Sequence, residues 1–219
     1  KRPHTMAELK AQGLSRRGIP NLLAKDLIEH RDIKRPGGWR ARTALDATPE
    51  QLTALKAIRR PATGFHCHLL DGVTGSGKTE VYLQLIADTI ARGQQVLVLL
   101  PEIGLTPQMI DRFVARFEAP IALIHSGLAE GERDRSWSMA RAGEAAIVMG
   151  TRSAVFVPMA RLGLIIIDEE HDGSFRQQDG LRYSARDVAV KRAQLSGCPV
   201  VLGSATPSLE SLANADAGR

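Results

Sequence analysis

Gly72-Val73-Thr74-Gly75-Ser76-Gly77-Lys78-Thr79 decides how this chain is read. The octet satisfies G-x-x-x-x-G-K-[ST] at every position, and its flanks supply the strand and helix that the pattern requires. Before it, Cys67 to Leu70 form a short apolar run that ends at Asp71. After it, Lys78 to Ala91 carry apolar residues at helical spacing. Glycines at such a turn let backbone N–H groups converge on phosphate oxygens without interference from side chains. Lys78 is placed to reach the β and γ phosphates, and the Thr79 hydroxyl to ligate magnesium. The bland alternative is a glycine-rich turn that holds nothing.

Working outward, short apolar runs recur at Val96–Leu100, Ile121–Ile124, Ala145–Met149, Leu164–Asp168 and Val200–Leu202. Helical patterns lie between them near Thr106–Phe117, Ala129–Ala142 and Ala185–Leu195, and Thr48-Pro49-Glu50-Gln51 reads as a capped, proline-started helix entry. Strands that alternate with helices at this spacing predict an α/β fold, a parallel sheet covered by helices on both faces.

Hydrolysis of a bound nucleotide needs a second, acidic element at the end of another strand. Leu164-Ile165-Ile166-Ile167-Asp168-Glu169-Glu170-His171 supplies it, with the carboxylates at the carboxyl edge where ligands bind in such sheets. Asp168 is placed to hold magnesium through water, and Glu169 to orient and deprotonate the attacking water. The nucleotide-binding set is Gly72, Val73, Thr74, Gly75, Ser76, Gly77, Lys78, Thr79 and Glu80, and the catalytic set is Lys78, Asp168 and Glu169.

At 219 residues with 43% apolar content, the chain has material for a sizeable core. No apolar stretch approaches the roughly 20 residues of a membrane span, and no signal peptide is evident at the start. Cys67 and Cys198 stand far apart, so the expectation is a reducing cytoplasm, no zinc and no membrane. The net charge of +5 is uneven. The first 42 residues hold eleven Lys and Arg residues against Glu8, Asp26, Glu29 and Asp32. Two short helical patterns there, one capped by Thr5 and broken at Gly13, the other from Ile19 to Ile28, are followed by a strand-like stretch and the Pro36-Gly37-Gly38 turn. This pattern suggests a helix-turn-helix unit, with a plain amphipathic connector as the alternative.

Asp-Glu-x-His at Asp168–His171 resembles the second motif of superfamily 2 helicases. Gly203-Ser204-Ala205-Thr206-Pro207 is similar to their third, which couples nucleotide state to DNA through Ser204, Ala205 and Thr206. Gln51 resembles the glutamine that reads adenine in many of these motors. More specifically, Gly72–Tyr82, Leu100–Gln108, His125–Leu128, Gly143–Phe156, Ile166–Asp172 and Gly203–Leu209 resemble the primosomal replication-restart helicases over about three quarters of the chain.

The resemblance implies a RecA-like P-loop NTPase lobe over residues 48–219, a linker over 39–47, and the latter part of a winged-helix DNA-binding domain over 1–38. It implies ATP and Mg2+ as cofactors and 3′–5′ translocation on DNA. The implied partners are single-stranded DNA, the duplex arms of a fork, other primosome proteins and single-strand-binding protein. It further implies a monomer in a bacterial cytoplasm, associated with the nucleoid. Pro101, Glu102, Thr106, Thr151, Arg152 and Ser153 correspond to elements along the single-strand path. Phe175, Arg176, Arg182, Tyr183 and Arg186 belong to an aromatic-rich loop that senses single-stranded DNA by stacking and charge. Leu181 stands where relatives often carry another aromatic, and the alternative for Phe175 and Tyr183 is that they anchor the local core. The second lobe with its arginine finger, the zinc-binding cysteines and the module that recognises a nascent 3′ end are not matched. The expectation is therefore an excised segment that hydrolyses ATP slowly or not at all by itself. The competing readings are a non-catalytic DNA-binding or partner-docking module, a branch-migrating superfamily 2 translocase lobe, and a small-molecule phosphotransferase.

Overall fold

The computed structural model describes residues 38–42, 46–59 and 64–218. The helix-turn-helix and winged-helix expectations on the first 37 residues lie outside the described residues.

Six parallel strands form the central sheet: β1 (Cys67–Asp71), β2 (Gln95–Leu99), β3 (Ile121–Ile124), β4 (Ile147–Gly150), β5 (Leu162–Ile167) and β6 (Val200–Ser204), in the spatial order β1-β6-β5-β2-β4-β3. The helices are α1 (Pro49–Arg59), α2 (Lys78–Ala91), α3 (Pro107–Arg116), α4 (Glu130–Ala142), α5 (Ala185–Ser196) and α6 (Leu209–Asp216). This is the expected RecA-like α/β lobe.

The strands read as unbroken apolar runs because both faces of the sheet are covered. Val96 and Val98 of β2 point into one core with Leu55, Val81, Ile86 and Phe113, while Leu97 and Leu99 enter the other with Ala185, Ala189 and Ala193. Alternate side chains of one strand thus serve two separate cores, the consequence of the two-residue period. Each fully buried Val or Leu contributes about 1.5–3 kcal/mol, so β2, buried at all five positions, is a major source of stability.

Helix ends follow the local chemistry. Thr48 and Gln51 form a reciprocal cap on α1: the Thr48 N–H donates to Gln51 Oε1 at 2.9 Å and the Gln51 N–H to Thr48 Oγ1 at 3.4 Å. Thr106 and Ser184 cap α3 and α5 by accepting from the N–H groups of Met109 and Asp187.

Several departures from the sequence expectations have physical causes. Phe117, expected at the end of a helix, leaves it because Phe117–Glu118 pairs antiparallel with Arg40–Ala41. Ala145, expected in a strand, instead donates its N–H back to Met139 O in the αL exit of α4, so β4 begins at Ile147. Helix α6 has no counterpart among the expected helices, because its Ser208 cap directly follows the third motif and its apolar positions are few. Trp39 is buried and Arg40–Ala41 is hydrogen-bonded to the lobe, so the stretch expected as a linker lies against it at residues 39–42. Among the described residues, no helix is long and apolar enough to cross a membrane.

Candidate nucleotide and coupling site

All six strands end at one edge, and sheet pairing draws their exit loops together. The register sets Ser204 opposite Asp71, and Gly72 N–H donates to Ser204 O at 3.1 Å, fixing the start of the phosphate loop against β6. Asp168 N–H donates to Leu99 O at 3.0 Å, which holds the acidic box beside the end of β2. Because β6 lies between β1 and β5, the third motif separates and touches both the phosphate loop and the acidic box.

The loop itself needs its glycines. Gly75 and Gly77 both have φ of 83°, a left-handed conformation that other residues adopt at a cost. A Cβ on Gly77 would also overlap the Gln51 amide nitrogen, which donates to Gly77 O at 3.3 Å. No side chain caps the N-terminus of α2, so the backbone donors of its first turn face the loop. Lys78 Nζ donates to Gly72 O at 2.6 Å and lies 3.9 Å from Glu169 Oε1, joining the loop to the acidic box. Gly75, Gly77 and Lys78 line a cleft of ≈ 690 Å³ together with Thr74, Thr79, Asp168, Glu169, Arg42, Arg112 and Arg116.

The four residues of the acidic box have four different surroundings. Asp168 is hydrogen-bonded by the Tyr82 hydroxyl at 2.9 Å, and burial pushes its carboxyl above the usual carboxylate range. A hard cation would relieve that burial, and one carboxylate plus the Thr79 hydroxyl is the kind of oxygen set magnesium uses with substrate phosphates. Glu169 has φ of 48° and is the sole non-glycine residue at positive φ among the described residues. Such strain costs about 1–3 kcal/mol and persists where its surroundings fix it. Here the Glu170 N–H donates to Gly203 O at 3.0 Å and the Asp172 N–H to Glu169 O at 2.8 Å. The side chain of Glu169 is thereby directed toward Lys78 and the Ala205 N–H.

Glu170 turns the other way. Its fully buried carboxylate accepts from Ser208 N–H at 2.7 Å, Ser211 Oγ at 2.9 Å, Ser208 Oγ at 3.2 Å and Arg186 Nη1 at 3.2 Å. Burial alone would raise its pKa, but the bonds from Ser208, Ser211 and Arg186 outweigh burial and hold it below the usual glutamate range. His171 completes the box: Nδ1 is hydrogen-bonded to Ser204 Oγ at 2.7 Å and Nε2 to Thr206 Oγ1 at 3.2 Å. Ser204 and Thr206 are thus tied directly to the acidic box, whereas Ala205 contributes its backbone N–H.

Tyr82 closes the Gly72–Tyr82 motif, and the pattern of that motif assigns it no role. It sits one helical turn after Lys78, and its buried ring reaches across to Asp168 and to Gly203, where an added Cβ would overlap the hydroxyl. Gly203→Ala is expected to cost about 1–3 kcal/mol by overpacking. Combining it with Tyr82→Phe should cost less than the sum of the two single changes, because the hydroxyl nearest the new methyl is gone. Thermal melts of the four proteins check this, and strict additivity would mean that the two residues do not oppose each other.

The residues expected on the DNA path divide into two groups. Glu102, Ser153, Arg176 and Arg182 are exposed near the strand ends, and Leu181 is 81% exposed. Pro101 and Thr151 are buried, and the Thr106 hydroxyl caps α3. Arg152 donates to Ser174 O at 3.1 Å and Arg176 O at 3.0 Å, bracing the following loop. Phe175 is 1% exposed, so its ring anchors the core and has no face open to a base. Tyr183 is half-buried with its ring 5.0 Å from Phe156, edge-on. Arg186 is 14% exposed and bonds Glu170, Ser208, Glu210 and Asp187.

A glycine-rich phosphate loop, an acidic box and the third motif, arranged on one sheet edge, give the chain the layout of a P-loop nucleotide-binding lobe. The chain belongs to the DEAD/DEAH box helicases, whose family model matches residues 48–215. Within that class it is similar to the replication restart protein PriA of Synechocystis, 51% identical over 91% of this chain and 24% of the relative. The PriA of Bacillus subtilis is 46% identical over 91% of this chain and 26% of that protein. The chain therefore spans about a quarter of the length of the curated relatives it matches. Among solved structures, RecG bound to a three-way DNA junction aligns with a TM-score of 0.59 and 28% identity, covering 80% of this chain and 23% of RecG.

Proposed function

We propose that this chain is the ATP-binding first motor lobe of an ATP-dependent 3′–5′ DNA helicase that acts at stalled or branched forks and restarts replication by primosome assembly. The observation that carries the reading is Lys78 Nζ lying 3.9 Å from Glu169 Oε1, which unites the phosphate loop and the acidic box at one point. Phosphoryl transfer rests on positioning and charge more than on covalent chemistry, and this juxtaposition supplies both. In this reading the N–H groups of Gly75 to Thr79 and the Lys78 ammonium bind the phosphates of ATP. Glu169 orients the attacking water and accepts its proton. Thr79 and Asp168 hold Mg2+, which when bound neutralises phosphate charge, and zinc has no part. His171, Ser204 and Thr206 pass changes at the nucleotide to the exposed DNA edge, where Glu102, Ser153, Arg176 and Arg182 stand.

Similarity to the PriA proteins at 46–51% identity, against 28% to RecG bound to a three-way DNA junction, supports the restart helicase over the branch-migrating alternative. DNA, ATP, primosome proteins and single-strand-binding protein are the partners this implies, in a bacterial cytoplasm.

A titration of fluorescent Mg-ADP into the chain tests the reading, with Lys78→Ala as the comparison. Saturable binding that weakens at least tenfold in the variant is expected, since removal of a charged donor to phosphate costs on the order of 1.5–3 kcal/mol. Equal binding by both proteins would place the nucleotide elsewhere and defeat the proposal.

A further inference from the structure

We infer that Arg42, which precedes the region matched to the helicase family, is a nucleotide-binding residue that holds the nucleoside end of the ligand. The inference rests on the proposed phosphate site and adds a wall to it. Arg42 lines the same cleft as Lys78 and Glu169. It is held there by a short strap: Ala41 pairs with Phe117, the Arg42 N–H donates to Arg116 O at 2.8 Å, and Arg42 Nη1 donates to Ala115 O at 3.2 Å. Trp39, buried against the lobe with the Arg161 guanidinium 5.3 Å from its ring centre, anchors the start of the strap.

The geometry of α2 says which end of a nucleotide faces this wall. Arg116 bonds Glu80 at 2.9 Å, whereas Tyr82 bonds Asp168. Positions 80 and 82 lie about 200° apart around a helix, so the arginine wall and the acidic box occupy opposite flanks of α2. Phosphates bound between Lys78 and Glu169 leave the sugar and base to extend toward Arg42, Arg112 and the apolar surface of Leu83 and Ala115. A guanidinium is planar and delocalised, so it stacks on a purine face as well as carrying charge. Arg42 retains 58% side-chain exposure, which leaves that face open. Gln51 Oε1 accepts from Thr48 and its Nε2 donates to Gly77, which leaves a second N–H and a second lone pair of the amide for the edge of a base. Arg42 therefore offers a face to the base in addition to the edge contact open to Gln51.

The test compares Mg-ADP with Mg-pyrophosphate, which lacks the nucleoside, by calorimetry on the wild type, Arg42→Ala and Arg42→Lys. Arg42→Ala is expected to weaken ADP about three- to tenfold and to leave pyrophosphate unchanged, with an unaltered melting temperature. Arg42→Lys keeps the charge but loses the plane, and should retain most of the ADP deficit. Unchanged ADP affinity, or equal losses for both ligands, overturns the inference while leaving the phosphate site standing. A folded wild type that binds neither ligand overturns the phosphate site itself, and the Arg42 wall with it.

Discussion

Glu170→Ala is expected to lower the unfolding free energy by about 3–5 kcal/mol, the range seen when one partner of a buried ion pair is removed. The loss is large because the carboxylate serves four donors at once. Without it, the Arg186 guanidinium remains 14% exposed and loses a charged acceptor, while the Ser208 N–H and Ser211 hydroxyl lose theirs. Ser208 is also the cap of α6, so the substitution loosens the element that follows the third motif. Glu170→Gln keeps the shape and should cost less. The pH dependence carries the sign of a depressed acid. Glu170 lies below its ordinary value of 4.5, so its contribution is fully present above that pH and is lost as pH falls through the folded-state value. Denaturant unfolding of the wild type and Glu170→Ala should therefore give a gap that is constant near neutral pH and narrows in acid. A constant gap at every pH would mean that the carboxylate acts by shape alone.

Continuous apolar runs make the sheet legible in the sequence. Each of the six runs contains a strand, and the signal is strongest in the central ones, where burial on both faces demands apolar residues at nearly every position. The phosphate loop is equally legible, since a glycine requirement, a lysine and a hydroxyl at fixed spacing suit a phosphate cradle and little else. Other features depend on contacts that no local pattern encodes. The resemblance assigns Arg186 and Phe175 to a DNA-sensing loop, with a core anchor as the alternative for Phe175; Arg186 is drawn inward by Glu170 sixteen residues earlier, and Phe175 takes the core position. Arg152 likewise braces a loop through the carbonyls of Ser174 and Arg176, distant in sequence. Tyr82 offers one usable signal, a tyrosine in the apolar stripe of α2 one turn after the lysine. A buried phenol needs a polar partner, and the acidic box is the nearest supply. The strap at residues 39–42 has no comparable signal, because a two-residue antiparallel pair leaves no periodicity to read.

On the proposed function, Glu169→Gln is expected to reduce ATP turnover about 10²–10⁴-fold in the full-length protein, the usual contribution of a positioned general base. Nucleotide affinity should stay within a few-fold, because Gln keeps the size of the side chain and the phosphates are held by Lys78 and backbone donors. Little change in stability is expected. The backbone at φ 48° is fixed by the bonds of Glu170 to Gly203 and of Asp172 to Glu169, and glutamine meets the same strain. The side chain of Glu169 is a third exposed and makes only longer contacts, 3.5 Å to the Ala205 N–H and 3.6 Å to His171 Nδ1. Two adjacent carboxylates therefore predict opposite phenotypes: Glu170→Ala melts early, whereas Glu169→Gln stays folded, binds nucleotide and fails to turn over. The pair is a sharper test than either change alone, since a general disturbance of the acidic box would move melting temperature and turnover together. Melting curves and Mg-ADP binding on this chain, with steady-state turnover in the full-length protein, separate the two. A Glu169→Gln protein that keeps more than a tenth of its turnover would remove Glu169 from the chemistry and leave Asp168 and an ordered water as the remaining acceptors.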